Sequence, residues 1–112
     1  MHDVGTNKIF ENETVIVWEL FLEAGEHHGR HTHELPYAFY VMQGSTLRAF
    51  DADGNEAATA VVESGEVLPF RIEGGDFVSG SGEEEIRVPA THSVQNIGEA
   101  PYKEILIEFK RQ

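Results

Sequence analysis

The chain has 112 residues, of which 40% are hydrophobic, a formal net charge of −12 and no cysteine. This length and hydrophobic content predict one folded domain over residues 1–112, with its core in residues 14–110. The acidic surface argues against nucleic acid as a partner, because phosphate groups carry charge of the same sign. Without cysteine, disulfides and cysteine nucleophiles are excluded, and any metal must be bound through nitrogen or oxygen.

The apolar content of the chain also bears on its location. No run approaches the roughly 18 apolar residues of a membrane-spanning helix. The first five residues, Met-His-Asp-Val-Gly, have neither the basic start nor the apolar segment of a secretory signal. We therefore expect a cytoplasmic protein with no membrane partner.

Short alternating runs between glycine-containing turns predict an all-β fold. Strands are predicted, in chain order, at residues 14–22, 36–42, 46–50, 57–62, 67–72, 86–88, 92–96 and 102–110, and another around His31 and His33. Residues 78–82, Val-Ser-Gly-Ser-Gly, are predicted to form a flexible loop. No apolar pattern with a helical period extends beyond two turns, so eight to ten strands in a sandwich or barrel is the expected architecture.

The last predicted strand alternates two kinds of side chain. Ile105, Ile107 and Phe109 face one way, and Glu104 and Glu108 face the other. No pair of carboxylates in the sequence has a spacing that indicates acid–base chemistry. Four aromatic residues are predicted to pack in the core first and to line a pocket second: Trp18, Phe39, Phe70 and Phe77.

Two histidines separated by one threonine, His31 and His33, are the clearest candidate for chemistry. Residues two apart in a strand project from the same face about 6.6 to 7 Å apart, so both imidazoles can approach one metal ion. His27 and His28 lie nearer the mouth of this strand and are expected to be exposed loop residues, whereas Glu34 should face away from the metal. The alternative is that the four histidines form a surface cluster without a site.

The spacing around this pair resembles the first motif of the cupins, a family of small β-barrel proteins. That motif contains a glycine, five residues, His-x-His, three or four residues, a glutamate, six residues and a glycine. Gly25, His31, His33 and Gly44 fall at matching intervals. Tyr37 stands at the position of the glutamate.

A second stretch is similar to the second cupin motif, which runs glycine, five residues, Pro-x-Gly, two residues, histidine, three residues and asparagine. Pro89, His92 and Asn96 correspond to its proline, histidine and asparagine. The glycine after the proline is absent and the segment before His92 is two residues shorter. Gly82 lies one residue too far from Pro89.

The resemblance covers nearly the whole chain and implies a double-stranded β-helix, also called a jelly roll or cupin barrel. It implies a divalent metal held by His31, His33 and His92, with the usual carboxylate missing. Three imidazoles leave open positions for water or substrate and suit iron, zinc, nickel, copper or cobalt. The leading hypothesis is therefore a metal-dependent cupin whose three-histidine site binds a compact, oxygen-bearing ligand. If the chain is an enzyme, the resemblance of a carboxylate-free triad to the three-histidine thiol and diketone dioxygenases of this superfamily implies Fe(II)-dependent oxygen insertion into a small chelating substrate.

Tyr37 shares strand parity with His31 and His33 and is therefore expected in the same cavity. A phenol is a poor ligand for a divalent ion at neutral pH, so its expected role is to orient substrate or oxygen by a hydrogen bond. Packing in the core is the alternative for this side chain.

Two other functions stay open at this point. One is a module that binds or senses a small molecule or a metal complex without turning it over. The other is a metal-independent isomerase that uses His92 or His33 as a base. A homodimer is expected, both from the resemblance and because a β-sandwich must protect its edge strands.

Overall fold

The computed structural model of the chain describes residues 4–80 and 82–110. These residues form strands separated by short turns and one 3₁₀ turn at Gly82–Glu84. The strands are β1 (Asn7–Glu11), β2 (Val15–Leu22), β3 (His27–Thr32), β4 (Tyr37–Gln43), β5 (Ser45–Phe50), β6 (Glu56–Val62), β7 (Val67–Glu73), β8 (Asp76–Ser79), β9 (Ile86–Pro89), β10 (Thr91–Asn96) and β11 (Tyr102–Phe109).

The strands form two antiparallel sheets. The larger sheet has the order β1-β2-β11-β4-β7-β8-β9, and the smaller one has the order β3-β10-β5-β6. This arrangement confirms the predicted all-β fold. Within the described residues, no helix is long and apolar enough to cross a membrane.

Two strands lie where the sequence predicts none. All five residues of β1 are exposed, so this strand lacks the alternation of buried and exposed positions that makes a strand recognisable. In β8, Phe77, Val78 and Ser79 are all buried. The prediction of a loop at residues 78–82 is therefore wrong for its first two residues, while Ser81 lies outside the described residues.

Both glycines of the first motif are required by the backbone. Gly25 has a φ of 84°, a conformation that residues with a side chain rarely adopt. At Gly44 an added Cβ would overlap the carbonyl oxygen of Val62. The backbone therefore explains why glycine occupies both positions of the motif.

Asn96, the last residue of the second motif, is fully buried and holds a loop together. Its Nδ2 donates to the carbonyl oxygens of Leu22 and Ala100, at 3.1 and 2.8 Å. Its Oδ1 accepts hydrogen bonds from the Ser45 hydroxyl at 2.7 Å and the Gly98 N–H at 3.0 Å. These partners lie in β2, in β5 and in the segment between β10 and β11. The role of Asn96 is therefore to fix the connection between β10 and β11.

The inner face of the large sheet carries acidic residues among its apolar ones. On β11, the buried residues alternate with less buried ones, and the buried set is Tyr102, Glu104, Leu106 and Glu108. Ile105, Ile107 and Phe109 therefore lie on the outer face of the sheet. The alternation predicted from the sequence is correct, and the acidic face is the one that points inward.

Candidate functional site

Two of the three predicted metal ligands are cross-strand neighbours. His31 on β3 is paired directly with His92 on β10 in the smaller sheet. Their ring centroids are 4.6 Å apart with a nearly perpendicular arrangement. Both side chains are buried, with exposed fractions of 4% and 7%. The alternative of a surface histidine cluster is therefore wrong for His31, and also for His33, which is 4% exposed.

His33 joins this pair although it lies one residue beyond the end of β3. Its backbone N–H donates to the carbonyl oxygen of Ala90 at 2.9 Å, and Ala90 directly precedes β10. This bond extends the pairing of β3 with β10 by one residue. This bond keeps His33 on the same side as His31, as the two-residue spacing predicts. The candidate ligand atoms of the three histidines all lie within 4.8 Å of one another.

Backbone carbonyl groups orient two of the rings. The Nδ1 atom of His31 lies 3.0 Å from the oxygen of Gly29, and that of His92 lies 2.7 Å from the oxygen of Pro89. If each Nδ1 carries the proton and donates, Nε2 keeps the lone pair that a metal requires. This second layer of contacts is typical of histidines that bind metals.

Burial also favours the protonation state needed for metal binding. Loss of solvent lowers the pKa of His92 below its usual value, although the hydrogen bond to Pro89 acts in the opposite direction. The neighbouring His28 lowers this pKa further. A neutral imidazole is the form that coordinates a metal, so this environment suits a ligand.

Tyr37 lies against the triad, but not for the reason that strand parity suggests. Between His33 and Tyr37 the chain leaves the smaller sheet and enters β4 of the larger one, so the alternation does not run through this segment. The Tyr37 ring nevertheless stacks on the ring of His33 at 4.1 Å and on that of Phe70 at 4.9 Å. Burial raises the pKa of the Tyr37 phenol above its usual value, and Glu104 and Glu108 raise it further. The group is therefore a protonated hydroxyl at neutral pH.

A cavity of about 110 Å³ lies between the two sheets and reaches the triad. Apolar side chains such as Leu20, Leu68 and Phe70 form most of its wall. The polar side chains in the wall, among the described residues, are the three histidines, Tyr37 and Glu104. Such a cavity suits a small, largely apolar ligand with a few fixed polar contacts.

The predicted core aromatic residues lie in the core and around this site. Trp18, Phe70 and Phe77 are buried, and Phe39 is partly buried against them. The ring of Phe77 lies 5.7 Å from that of His33, and Phe39 and Phe70 line the cavity. The predicted packing role therefore applies to all four residues, and the lining role applies to Phe39 and Phe70.

His27 and His28 lie outside the triad. His27 and His28 belong to β3 and pair with Gln95 and Val94 of β10, so the prediction of a loop is wrong here. Their exposure is largely as expected, since His27 is exposed and His28 is partly buried. Glu34 is exposed, in agreement with its predicted direction.

Two buried carboxyl groups on β11 were not recognised as candidates from the sequence. The Oε1 atom of Glu108 accepts a hydrogen bond from the indole N–H of Trp18 at 2.8 Å. Glu104 accepts a hydrogen bond from the hydroxyl of Tyr102 and lines the cavity. Burial raises the pKa of Glu104 to about 7. The alternation of this strand places both carboxyl groups on one face, but it does not indicate that this face points inward.

Comparison with solved structures identifies the fold. A cupin domain from Bordetella pertussis Tohama I matches with a TM-score of 0.65 at 20% identity, over 96% of this chain and 97% of that one. An RmlC-like cupin family protein with a double-stranded β-helix fold from Methanocaldococcus jannaschii matches with a TM-score of 0.59 at 12% identity, over 92% and 76% of the two chains. The chain has the cupin fold.

The cupin fold carries more than one kind of protein among these neighbours. The polyketide cyclase RemF from Streptomyces resistomycificus matches with a TM-score of 0.54 at 15% identity, over 91% of this chain and 61% of that one. No family model and no curated protein matches the chain. The fold is thus established, and its function has to be argued from the site.

Proposed function

We propose that this chain is a metal-dependent cupin in which His31, His33 and His92 hold one divalent transition metal. The convergence of three buried imidazoles within 4.8 Å is the observation that carries this proposal. The carbonyl contacts that orient His31 and His92 support it, because a backbone carbonyl on Nδ1 is the kind of contact that orients histidines which bind a metal through Nε2. Fe(II) is the metal we favour, and zinc, nickel, copper and cobalt suit the same ligands.

The specific activity we propose is oxygen insertion into a small chelating substrate. Fe(II), when bound, would supply a centre at which substrate and oxygen meet. The protein would contribute three neutral nitrogen ligands and an apolar cavity that excludes water. Tyr37, stacked on His33, would donate a hydrogen bond from its hydroxyl to substrate or oxygen, because the raised pKa of the phenol keeps the hydroxyl protonated.

Elemental analysis tests the metal site. Protein prepared without an affinity tag or a nickel column should contain about one transition-metal ion per chain, and an anomalous signal should lie among the three imidazoles. Metal content far below one ion per chain, after incubation with Fe(II) under nitrogen, would contradict the proposal. Catalysis that survives removal of metal by a chelator would favour a metal-independent isomerase instead.

Oxygen consumption tests the reaction. The iron-loaded protein is mixed with thiols and diketones small enough for the cavity, and oxygen uptake is followed with an electrode. Uptake that depends on both the metal and the organic compound supports a dioxygenase. Binding of metal and compound without uptake would identify a binding or sensing module.

We also propose that two chains form a homodimer through the outer face of the large sheet. Tyr40, Val67 and Ile105 occupy neighbouring registered positions there, and the first two are 47% and 62% exposed. Glu19 and Lys103 on this face form an ion pair at 3.2 Å, so their charges compensate each other. An extended apolar face of this kind is typical of an interface.

Light scattering tests the dimer. The expected mass is twice that of one chain, and Val67→Glu should convert the protein to monomers. Val61→Glu is the matched control, since Val61 is an exposed valine on the smaller sheet. A single-chain mass for the unaltered protein would overturn the dimer.

A cytoplasmic location remains a prediction from the sequence.

A further inference from the structure

The carboxyl group of Glu104 is the one cavity-lining polar group, among the described residues, to which the proposed function gives no role. It shares the cavity with the three histidines and Tyr37. Its residue is 3% exposed. A buried ionisable group in a ligand cavity is a candidate for contact with the ligand.

The protein itself meets only part of the hydrogen-bonding capacity of Glu104. Within residues 4–80 and 82–110, the Tyr102 hydroxyl is the donor that this carboxyl has. Its register partners on the neighbouring strands are Leu20 and Val41, which offer no side-chain donor. An ionised carboxyl has about four acceptor positions. The raised pKa of Glu104 agrees with this shortage of donors.

Building on the proposed function, we propose that Glu104 is a second ligand contact, whose carboxyl accepts a hydrogen bond from a hydroxyl or ammonium group at the end of the ligand farther from the triad. The ligand would have a metal-binding end, a short apolar middle and a donor end. An apolar cavity of roughly 150 Å³ accommodates benzene. The cavity of about 110 Å³ therefore suits a ligand of about four to six non-hydrogen atoms.

Selectivity for such a ligand follows from the cost of burying an unsatisfied carboxyl. A ligand with a terminal donor supplies the missing hydrogen bond when it displaces solvent from the cavity. A ligand of the same shape with a methyl group in that place leaves the carboxyl without compensation. At pH 8, where a Glu104 carboxyl with a pKa of about 7 is mostly ionised, a difference of about tenfold in affinity is expected from one hydrogen bond to this charged group.

Matched pairs of thiols test this inference on the intact protein loaded with Co(II) under nitrogen. The probes are straight-chain thiols of two to four carbons that end in a hydroxyl group, each compared with the alkanethiol in which a methyl group replaces the hydroxyl. Thiol binding is followed by the absorbance of the cobalt–sulfur bond. The unaltered protein should prefer the hydroxyl compound by about tenfold at the chain length that spans the cavity.

Substitutions of Glu104 assign the preference to its carboxyl. Glu104→Gln and Glu104→Leu should each reduce the preference to less than about threefold while leaving Co(II) binding intact. Glu108→Gln is the matched control, because Glu108 is buried on the same face of β11 but does not line the cavity, and it should keep the preference. Thermal unfolding of each variant confirms that it is folded.

The outcomes separate this inference from the proposed function. Failure of the folded, unaltered protein to bind Co(II) overturns the proposed function, and this inference with it. Binding of Co(II) and thiols with no preference at any chain length overturns the role of Glu104 alone. A preference that is unchanged in both Glu104 variants also overturns it.

Discussion

The two sides of the cavity show how one physical effect acts on two kinds of ionisable group. The imidazole side consists of His31, His33 and His92, and the carboxyl side consists of Glu104, while Glu108 is buried on the same face of β11 outside the cavity wall. Burial lowers the pKa of His92 and raises that of Glu104, because in both cases it penalises the charged form. A neutral imidazole still offers a lone pair to a cation, whereas a buried carboxyl must find donors or keep a proton. The first side is therefore suited to a metal and the second to a donor group of a ligand.

The largest expected effect separates the two sides by their metal affinity. His33→Ala removes one of three nitrogen ligands and should weaken metal binding by more than about a hundredfold, since even loss of an indirect support costs tenfold to a hundredfold. Competition with a chromogenic chelator measures this affinity. Glu104→Gln, on the carboxyl side, should change it by less than tenfold. Similar losses for the two variants would contradict the division of the cavity into two sides.

The second prediction concerns the pH dependence of stability on the carboxyl side. Because the pKa of Glu104 is raised from 4.5 to about 7, the folded state holds this proton more tightly than the unfolded state. Its ionisation therefore lowers the free energy of unfolding as pH rises from about 4.5, and this loss is complete above about 7. Between pH 4.5 and pH 8, the contribution of Glu104 should lower the free energy of unfolding of the unaltered protein by on the order of 3 kcal/mol. Glu104→Gln should not show this decrease.

Urea denaturation of both proteins across this range measures the difference. The ionisable neighbours of Glu104 are Tyr102, which donates to it, and Tyr37, and both have raised pKa values that keep them neutral here. Glu99→Gln is the control, because Glu99 is exposed on a loop. Equal pH profiles for Glu104→Gln and the unaltered protein would show that the Glu104 carboxyl is not held in its neutral form by burial.

A third prediction concerns the donor that the other buried carboxyl already has. Trp18→Phe removes the indole N–H that lies 2.8 Å from Glu108, and should lower the free energy of unfolding by about 1–3 kcal/mol. Glu108→Gln keeps an acceptor for this N–H and should cost less. Chemical denaturation measures both variants at one pH. A larger loss for Glu108→Gln than for Trp18→Phe would mean that the charge of Glu108, and not its bond to Trp18, is what the fold requires.

The smallest effect is expected at Tyr37, which lies between the two sides. Tyr37→Phe keeps the ring that stacks on His33 and Phe70, so metal affinity should change by less than about threefold and stability by less than about 1 kcal/mol. If the hydroxyl orients the substrate, the rate of oxygen uptake by the iron-loaded protein should fall by more than about threefold. An unchanged rate of uptake would assign Tyr37 to packing alone.

The all-β class and the positions of most strands follow from the amino-acid sequence alone, because alternation shows directly which residues share a face of a strand. The sequence also predicts that His31 and His33 lie on one side, since that depends only on local strand geometry. The motif spacing brought His92 into the same set. Strands without alternation, such as β1 and β8, could not be recognised in this way.

Which face of β11 points inward depends on how the two sheets pack. Local alternation is the same for either orientation, and the apolar face with Ile105 and Ile107 looks the more suitable one for a core. The pairing of β11 between β2 and β4 turns Glu104 and Glu108 inward instead. Tyr37 likewise reaches His33 because the chain crosses from one sheet to the other, which no local periodicity encodes. Contacts between distant strands depend on how the two sheets pack, and this is why the carboxyl side of the cavity was visible only in three dimensions.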